Sequence, residues 1–397
     1  MRWVCLLVLS LLAAAELSAR EFTVLVYNVE NLTAADGKTV SDDYHPARYS
    51  RAHLLTKMNH IAEIAARFEN GIGPDIILFQ EVERDFSADQ YVFDHAGMLR
   101  RFSDTRIEDM LGVDFNREVA KLPVEALLLK TFADRGLTGY RVAAADDTPL
   151  KDARRVVTHL NVIFTRFPIG SVRTYPIPGA PAMLEVQVEV EGHPLYLFNN
   201  HWKAGAADEK AENARVEAAK ELRERIDEIV GVNPNTDVIV AGDFNSFYDQ
   251  KQRFRWEKTA LNDTLAVKND ARVLRSRGGD LYNLWNDLPV AERGTELYQG
   301  TWATFMQMIL SRGLYDYRGV QYVEGSFGIA AFPDLNMTEN GEPFRWSFRG
   351  TGAGYSSHFP IYARFVTVPN NRTDQYLQLT ATRNGRGGVQ TSEHVMR

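Results

Sequence analysis

Apolar residues in this chain fall in short runs that stop at polar side chains. Glu21 to Asn28, EFTVLVYN, gathers β-branched and aromatic residues before a polar turn and predicts a strand. From His45 to Phe68, residues Leu54, Leu55, Met58, Ile61, Ile64, Ala65 and Phe68 recur at helical spacing, with Pro46 near the start, so a long amphipathic helix is expected there. Gly73-Pro74 ends it, and Asp75 to Phe79, DIILF, reads as a strand buried between two layers that stops at Gln80-Glu81. Val82 to Tyr140 is less regular, with one helix expected over Val124 to Ala133, and is read as an insertion.

Strands are expected again at Leu160 to Phe164, at Met183 to Val190 with its alternating MLEVQVEV, and at Leu195 to Asn199. A helix is expected over Asp208 to Val230 and a buried strand over Asp237 to Ala241, leading into Gly242-Asp243-Phe244-Asn245. Asp249 to Arg293 lacks periodicity, and Trp302 to Ser311 and His358 to Val366 read as the last strands. Two series of strands, each with one long helix, predict an α+β protein: a four-layer α/β/β/α sandwich of two packed mixed sheets flanked by helices. The domain would span residues 22–366, followed by a polar tail, 369–397, on which no structure is forced.

Composition narrows the class. With 45% hydrophobic residues in 397, the chain can bury a large core, and its formal net charge of -7 supplies no global field for gathering polyanions. Residues 1–19 carry Arg2, an apolar run from Trp3 to Ala15 and small residues up to Ala19. They read as a signal peptide, with a retained interfacial anchor as the alternative, so export to a periplasmic or extracellular location is expected. The single cysteine, Cys5, lies in that run, which leaves the mature chain without disulfides, thiolate metal sites or cysteine nucleophiles. No later segment is apolar for long enough to span a membrane.

Polar residues recur at the strand ends: Asn28, Glu81, Asn200 with His201, Asp243 with Asn245, and His358. Carboxylate and amide oxygens suit Mg²⁺, Mn²⁺ or Ca²⁺ better than zinc. A hard cation beside histidines is what phosphate-ester hydrolysis needs, since the metal neutralises phosphoryl charge while an imidazole moves protons. Taken singly, each piece also fits ordinary turn chemistry or a satisfied loop histidine.

Their order is more specific. YNVENL, PDIILFQEVE, NNHWKA, VIVAGDFNS and GYSSHFPI resemble, over about Phe22 to Phe365, the endonuclease/exonuclease/phosphatase superfamily, the fold of DNase I-like nucleases, sphingomyelinases and inositol polyphosphate phosphatases. The resemblance implies that Asn28 and Glu81 are metal-site residues, Glu81 being the main ligand to Mg²⁺ or a similar ion. It implies that His201 contacts the phosphate, that Asp243 and Asn245 orient water and the scissile phosphate, and that His358 is the last histidine of a Ser-Asp-His motif.

Two positions depart from that pattern. Ser357 stands where the motif has aspartate, and Met306 stands where a strand would open with the aspartate that orients the last histidine. Met306 cannot form a charge-assisted hydrogen bond to His358, and Asp316 or Asp280 are candidates to substitute. The implied substrate is a phosphate ester, nucleic acid among the candidates. Trp202-Lys203, Arg154-Arg155, Tyr317-Arg318 and Phe344-Arg345-Trp346 are possible contacts, with core packing and solvated charge as their plainer explanations. The rivals are a degraded phosphate-binding protein and a lipid-headgroup phosphodiesterase, the latter needing an apolar lip from Tyr91 to Phe102 or Phe327 to Phe332.

Overall fold

The structure, a computed structural model, describes residues 20–37, 39–40, 49–85, 93–146, 157–275, 279–347 and 350–368. The segments read as signal peptide and polar tail lie outside these residues, as do Arg154 and Arg155. No helix among the described residues is long and apolar enough to cross a membrane.

Strand β1 (Glu21–Leu32) runs past the predicted Asn28. Helix α1 (Arg51–Ala65) follows, and the Ser50 hydroxyl accepts the His53 amide at its start. β2 (Ile76–Asp85) continues beyond the predicted Phe79, so the segment read as an insertion begins inside a strand. It goes on through helices α2 (His95–Arg101), α3 (Ile107–Leu111), α4 (Arg117–Ala120) and α5 (Val124–Asp134). β3 (Arg141–Ala144) and β4 (Val157–Thr165) close the first half.

β5 (Ile169–Tyr175), β6 (Met183–Val190) and β7 (His193–His201) form an antiparallel meander, and α6 (Glu209–Val232) returns the chain to β8 (Asp237–Asp243), parallel to β7. Short strands β9 (Val267–Lys268), β10 (Leu281–Asn283), β11 (Glu296–Tyr298) and β12 (Thr301–Ala303) precede β13 (Met306–Leu310). The single strand expected over Trp302 to Ser311 is therefore two, interrupted at Thr304 and Phe305. β14 (Gly319–Tyr322), β15 (Gly328–Ile329) and β16 (Ile361–Val368) complete the domain.

One sheet has the order β14-β16-β1-β2-β4-β3 with β15 beside β16, the other β5-β6-β7-β8-β13-β10-β9, and each mixes parallel and antiparallel pairs. Val26, Leu78 and Ile163 of the first share one core with Leu184, Leu195, Ile239 and Met308 of the second. Leu54, Met58 and Ile61 of α1 and Leu127, Leu128 and Phe132 of α5 cover the outside of the first sheet. Val216, Ala219, Leu222 and Ile226 of α6 cover the second. The expected α/β/β/α sandwich is what the chain forms.

Polar bridges cross the interior between the sheets. The Asn199 amide donates to the carbonyls of Phe79 and Val162 at 2.9 and 3.0 Å, and Gln80 donates to Asn199 at 2.6 Å. Asp287 accepts the hydroxyls of Tyr282 and Tyr322, one from each sheet, at 2.6 and 2.8 Å. Burial raises its carboxyl from 3.8 to about 6, although both tyrosines, the Gly325 backbone and Arg293 oppose the rise. A carboxyl raised on folding favours the folded state while protonated, so its contribution is full below the unfolded value and is lost as pH rises through about 6. Asp287→Asn should flatten the stability profile between pH 4 and pH 8 by about 2 kcal/mol, a figure discounted for partial exposure. Urea denaturation of both proteins across that range checks it, and parallel profiles would refute it.

Candidate active site

The carboxyl ends of β1, β2, β7 and β8 meet at one edge of the sandwich. Parallel pairing sets Asn28 across from Gln80, one residue before Glu81, and His201 across from Asp243. Both strands of the first sheet are irregular at this edge. The β1–β2 register shifts between Asn28 and Leu32, where Glu30 and Asn31 have φ of 50° and 56°; the β2–β4 register shifts between Phe79 and Val82, where Glu81 has φ of 61°. Bulges of this kind re-aim side chains, and left-handed backbone at non-glycine residues clusters at functional sites.

Asn28 is fully buried, and its amide nitrogen donates to Glu81 Oε1 and Asp243 Oδ2, both at 2.9 Å, which joins the two sheets through two acids. Its side-chain oxygen accepts the Glu30 amide at 2.9 Å. Asn28 is therefore a member of the expected site, but it ties the carboxylates together through N–H donors instead of presenting an oxygen ligand. Glu81 Oε2 accepts the Asn31 amide at 3.0 Å. Burial would raise the Glu81 carboxyl, but the imidazoles of His201 and His159, the Asn28 amide and then His358 outweigh it and hold the group down at about 2.

His201 Nε2 lies 3.8 Å from Glu81 Oε1 and 3.9 Å from Asp243 Oδ2, and its Nδ1 has no hydrogen-bond partner among the described residues. Asp243 is 2% exposed; its Oδ1 accepts the Asn245 amide at 2.9 Å, and His358 Nε2 sits 3.6 Å from its Oδ2. Asn245, at φ 47°, donates from its side chain to the Trp202 carbonyl at 3.1 Å. All six residues picked from the sequence thus sit in one constellation. Glu81, His201 and Asp243 offer ligand atoms within 4.8 Å of one another, a donor set that fits one hard or borderline divalent ion.

The departures have structural answers. Met306, 0% exposed, opens β13 and pairs directly with Asp243 of β8, so it brings no charged group to this edge. Asp316 and Asp280 do not substitute for it. Asp316 follows the Leu310 end of β13, and Asp280 precedes Leu281 of β10, whose neighbour Tyr282 pairs with Leu310, so both lie at the opposite end of the second sheet. Ser357 Oγ instead sits 2.9 Å from His358 Nδ1. Burial would lower the His358 pKa, but Glu296, then Asp243, Glu81 and Glu30, raise it overall. Burial raises the Glu296 carboxyl to about 7, with His358 pulling it down and Asp243 pushing it up.

Sequence reasoning missed Glu296 and a buried polar set behind Glu81. Glu83 is fully buried, takes the Thr39 hydroxyl at 2.8 Å and lies 3.6 Å from His159 Nε2. Burial would lower the His159 pKa, and the neighbouring carboxylates of Glu83 and Glu81 raise it overall. Lys57 is buried, donates to the Glu30 carbonyl, faces the Trp346 ring at 5.2 Å and is lowered to about 8 by burial. The available signal was QEVERD, a strand end unusually dense in charge.

Of the expected substrate contacts, Trp202 is a core residue that donates to Asn200 at 3.1 Å and meets the Phe244 ring at 4.6 Å, and Trp346 is likewise buried. Lys203 and Arg318 are exposed, and Arg345 pairs with Glu30. Phe327 is buried, so the Phe327 to Phe332 segment offers no continuous apolar lip; Tyr91 lies outside the described residues.

The chain thus forms an α/β/β/α sandwich in which carboxylates and histidines gather at one edge of the strand ends. Residues 179–367, a segment that includes His201, Asp243, Asn245 and His358, match the model of the Endonuclease/Exonuclease/phosphatase family, in line with the resemblance read from the sequence. Truncated TDP2 of Caenorhabditis elegans superposes at TM-score 0.46 with 13% identity, covering 87% of this chain and 97% of its own. An endonuclease/exonuclease/phosphatase family protein of Leptotrichia buccalis gives 0.47 with 12% identity over 86% and 98%. The human Nocturnin catalytic domain with bound sulfate gives 0.43 with 13% identity over 87% and 94%. No curated protein sequence matches the chain.

Proposed function

We propose that this protein is a divalent-metal-dependent phosphoesterase, acting on phosphodiesters outside the cytoplasm, with nucleic acid as one candidate substrate. The observation that carries the reading is the convergence of Glu81, His201 and Asp243 on one point, with Asn245 and His358 beside them. A cation such as Mg²⁺ or Mn²⁺ held by Glu81 and Asp243 would neutralise charge on the phosphoryl oxygens. His201 faces the same point and contacts the phosphate. Asp243 and Asn245, locked by the 2.9 Å amide bond, orient the attacking water and the scissile group. His358, whose charged form is favoured by its neighbours, protonates the leaving oxygen.

The test is turnover of a bis-aryl phosphodiester with Mg²⁺ or Mn²⁺ against chelator, in the wild type and in His201→Ala. Metal-dependent hydrolysis that falls by about 10²-fold or more in the variant is expected. Wild-type turnover no better than the variant with either metal, together with retained phosphate binding, would instead support a degraded binding protein.

A further inference from the structure

We propose that Ser357 and Glu296 jointly replace the aspartate absent at Met306, Ser357 fixing the His358 ring by a direct hydrogen bond and Glu296 supplying a buried carboxyl group. The inference rests on the phosphoesterase reading and makes both side chains positioning residues that act through His358.

Three observations support it. First, the Ser357 hydroxyl is at 2.9 Å from His358 Nδ1, which leaves Nε2 directed at Asp243. A hydroxyl can accept from a ring N–H while donating elsewhere, so it can hold the ring without carrying charge. The adjoining Ser356 fixes this loop to the site: its hydroxyl donates to the Asn28 carbonyl at 2.7 Å and accepts the His358 amide at 3.2 Å.

Second, Glu296 reaches the neighbourhood of Met306 from another strand. It lies on β11, paired with Ala303 of β12, and its Oε1 accepts the amide of Phe305, the residue immediately before Met306, at 2.9 Å. Its Oε2 accepts the Thr295 hydroxyl. The Phe359 amide donates to the Thr295 carbonyl at 2.8 Å, so the strand bearing Glu296 is bonded to the residue that follows His358. Thus Glu296 is hydrogen-bonded to the residue before Met306, and its neighbour Thr295 to the residue after His358.

Third, Glu296 is 5% exposed, and no lysine or arginine forms an ion pair with it among the described residues. A buried carboxylate without a cationic partner is costly.

The Glu296 hydrogen bonds could also merely brace the β11–β12 hairpin, and Glu296→Gln separates the two roles because an amide oxygen still accepts the Phe305 amide. The expected result in Glu296→Gln is a fall in kcat of about 10- to 100-fold with KM within about twofold, a displaced limb of the kcat–pH profile and little change in Tm. Ser357→Ala should lose about tenfold in kcat. Adding Met306→Asp to Glu296→Gln, in a variant shown by its melting curve to fold, should recover at least about tenfold of the lost kcat. Wild-type kcat and pH profile in Glu296→Gln would overturn the proposal and leave the hydrolase reading standing. Should the wild type itself prove inactive, the hydrolase reading fails, and ¹⁵N shifts of the His358 ring still decide the inference. A changed Nδ1/Nε2 tautomer balance in Ser357→Ala and Glu296→Gln supports it; spectra identical to wild type overturn it.

Discussion

Asp243→Asn is expected to lower kcat/KM for a phosphodiester by about 10³-fold or more. The carboxylate is engaged on every side: Asn28 donates to Oδ2, Asn245 donates to Oδ1, and His201 and His358 stand at 3.9 and 3.6 Å. An asparagine keeps the acceptor for Asn245 but turns an N–H₂ toward the Asn28 N–H₂ and removes the charge that the two imidazoles and a cation would share. Binding of Mn²⁺, followed by its electron paramagnetic resonance signal, should weaken together with turnover. A variant that loses turnover yet binds Mn²⁺ as the wild type does would place the metal elsewhere.

Gly242→Ala is expected to be the most damaging single change to the fold. Gly242 has φ of 134° and pairs with Asn200, and a Cβ there would stand 2.0 Å from the Asn200 carbonyl oxygen. Neither backbone can yield without shifting the β7–β8 ladder that sets His201 against Asp243 one residue later. The loss should be on the order of 3 kcal/mol or more, read by urea denaturation, with activity falling further than the unfolded fraction accounts for. Wild-type stability in this variant would mean that the strand ends are looser than the pairing indicates.

The sandwich and most of the candidate site were legible because strand composition is a local property and each candidate residue lies just past the end of an apolar run or, for His358, just before one. Asn28, Glu81, His201, Asp243 and Asn245 could be found where β-branched patterning stops. What the sequence hid depends on contacts between distant segments. Glu296 lies on a three-residue strand in a stretch without clear periodicity, and only pairing with β12 and the bond to Phe305 bring it beside Met306. Glu83 and Lys57 are charges buried within regular elements, so position along the chain alone gave them no role. Asp316 and Asp280 look equivalent to Glu296 in sequence, and topology sends them to the other end of the sheet. Asn28 was recognised by position, while the direction of its amide, set by the acids on either side, could not be read in advance.

The most direct measurement is a Mn²⁺ titration of bis-aryl phosphodiester turnover in the wild type beside Glu81→Gln. If the strand ends form one metal-dependent centre, wild-type turnover rises from background to saturation, and Glu81→Gln needs at least about tenfold more Mn²⁺ to reach a lower plateau. Superimposable titration curves, or turnover indifferent to Mn²⁺, would contradict it.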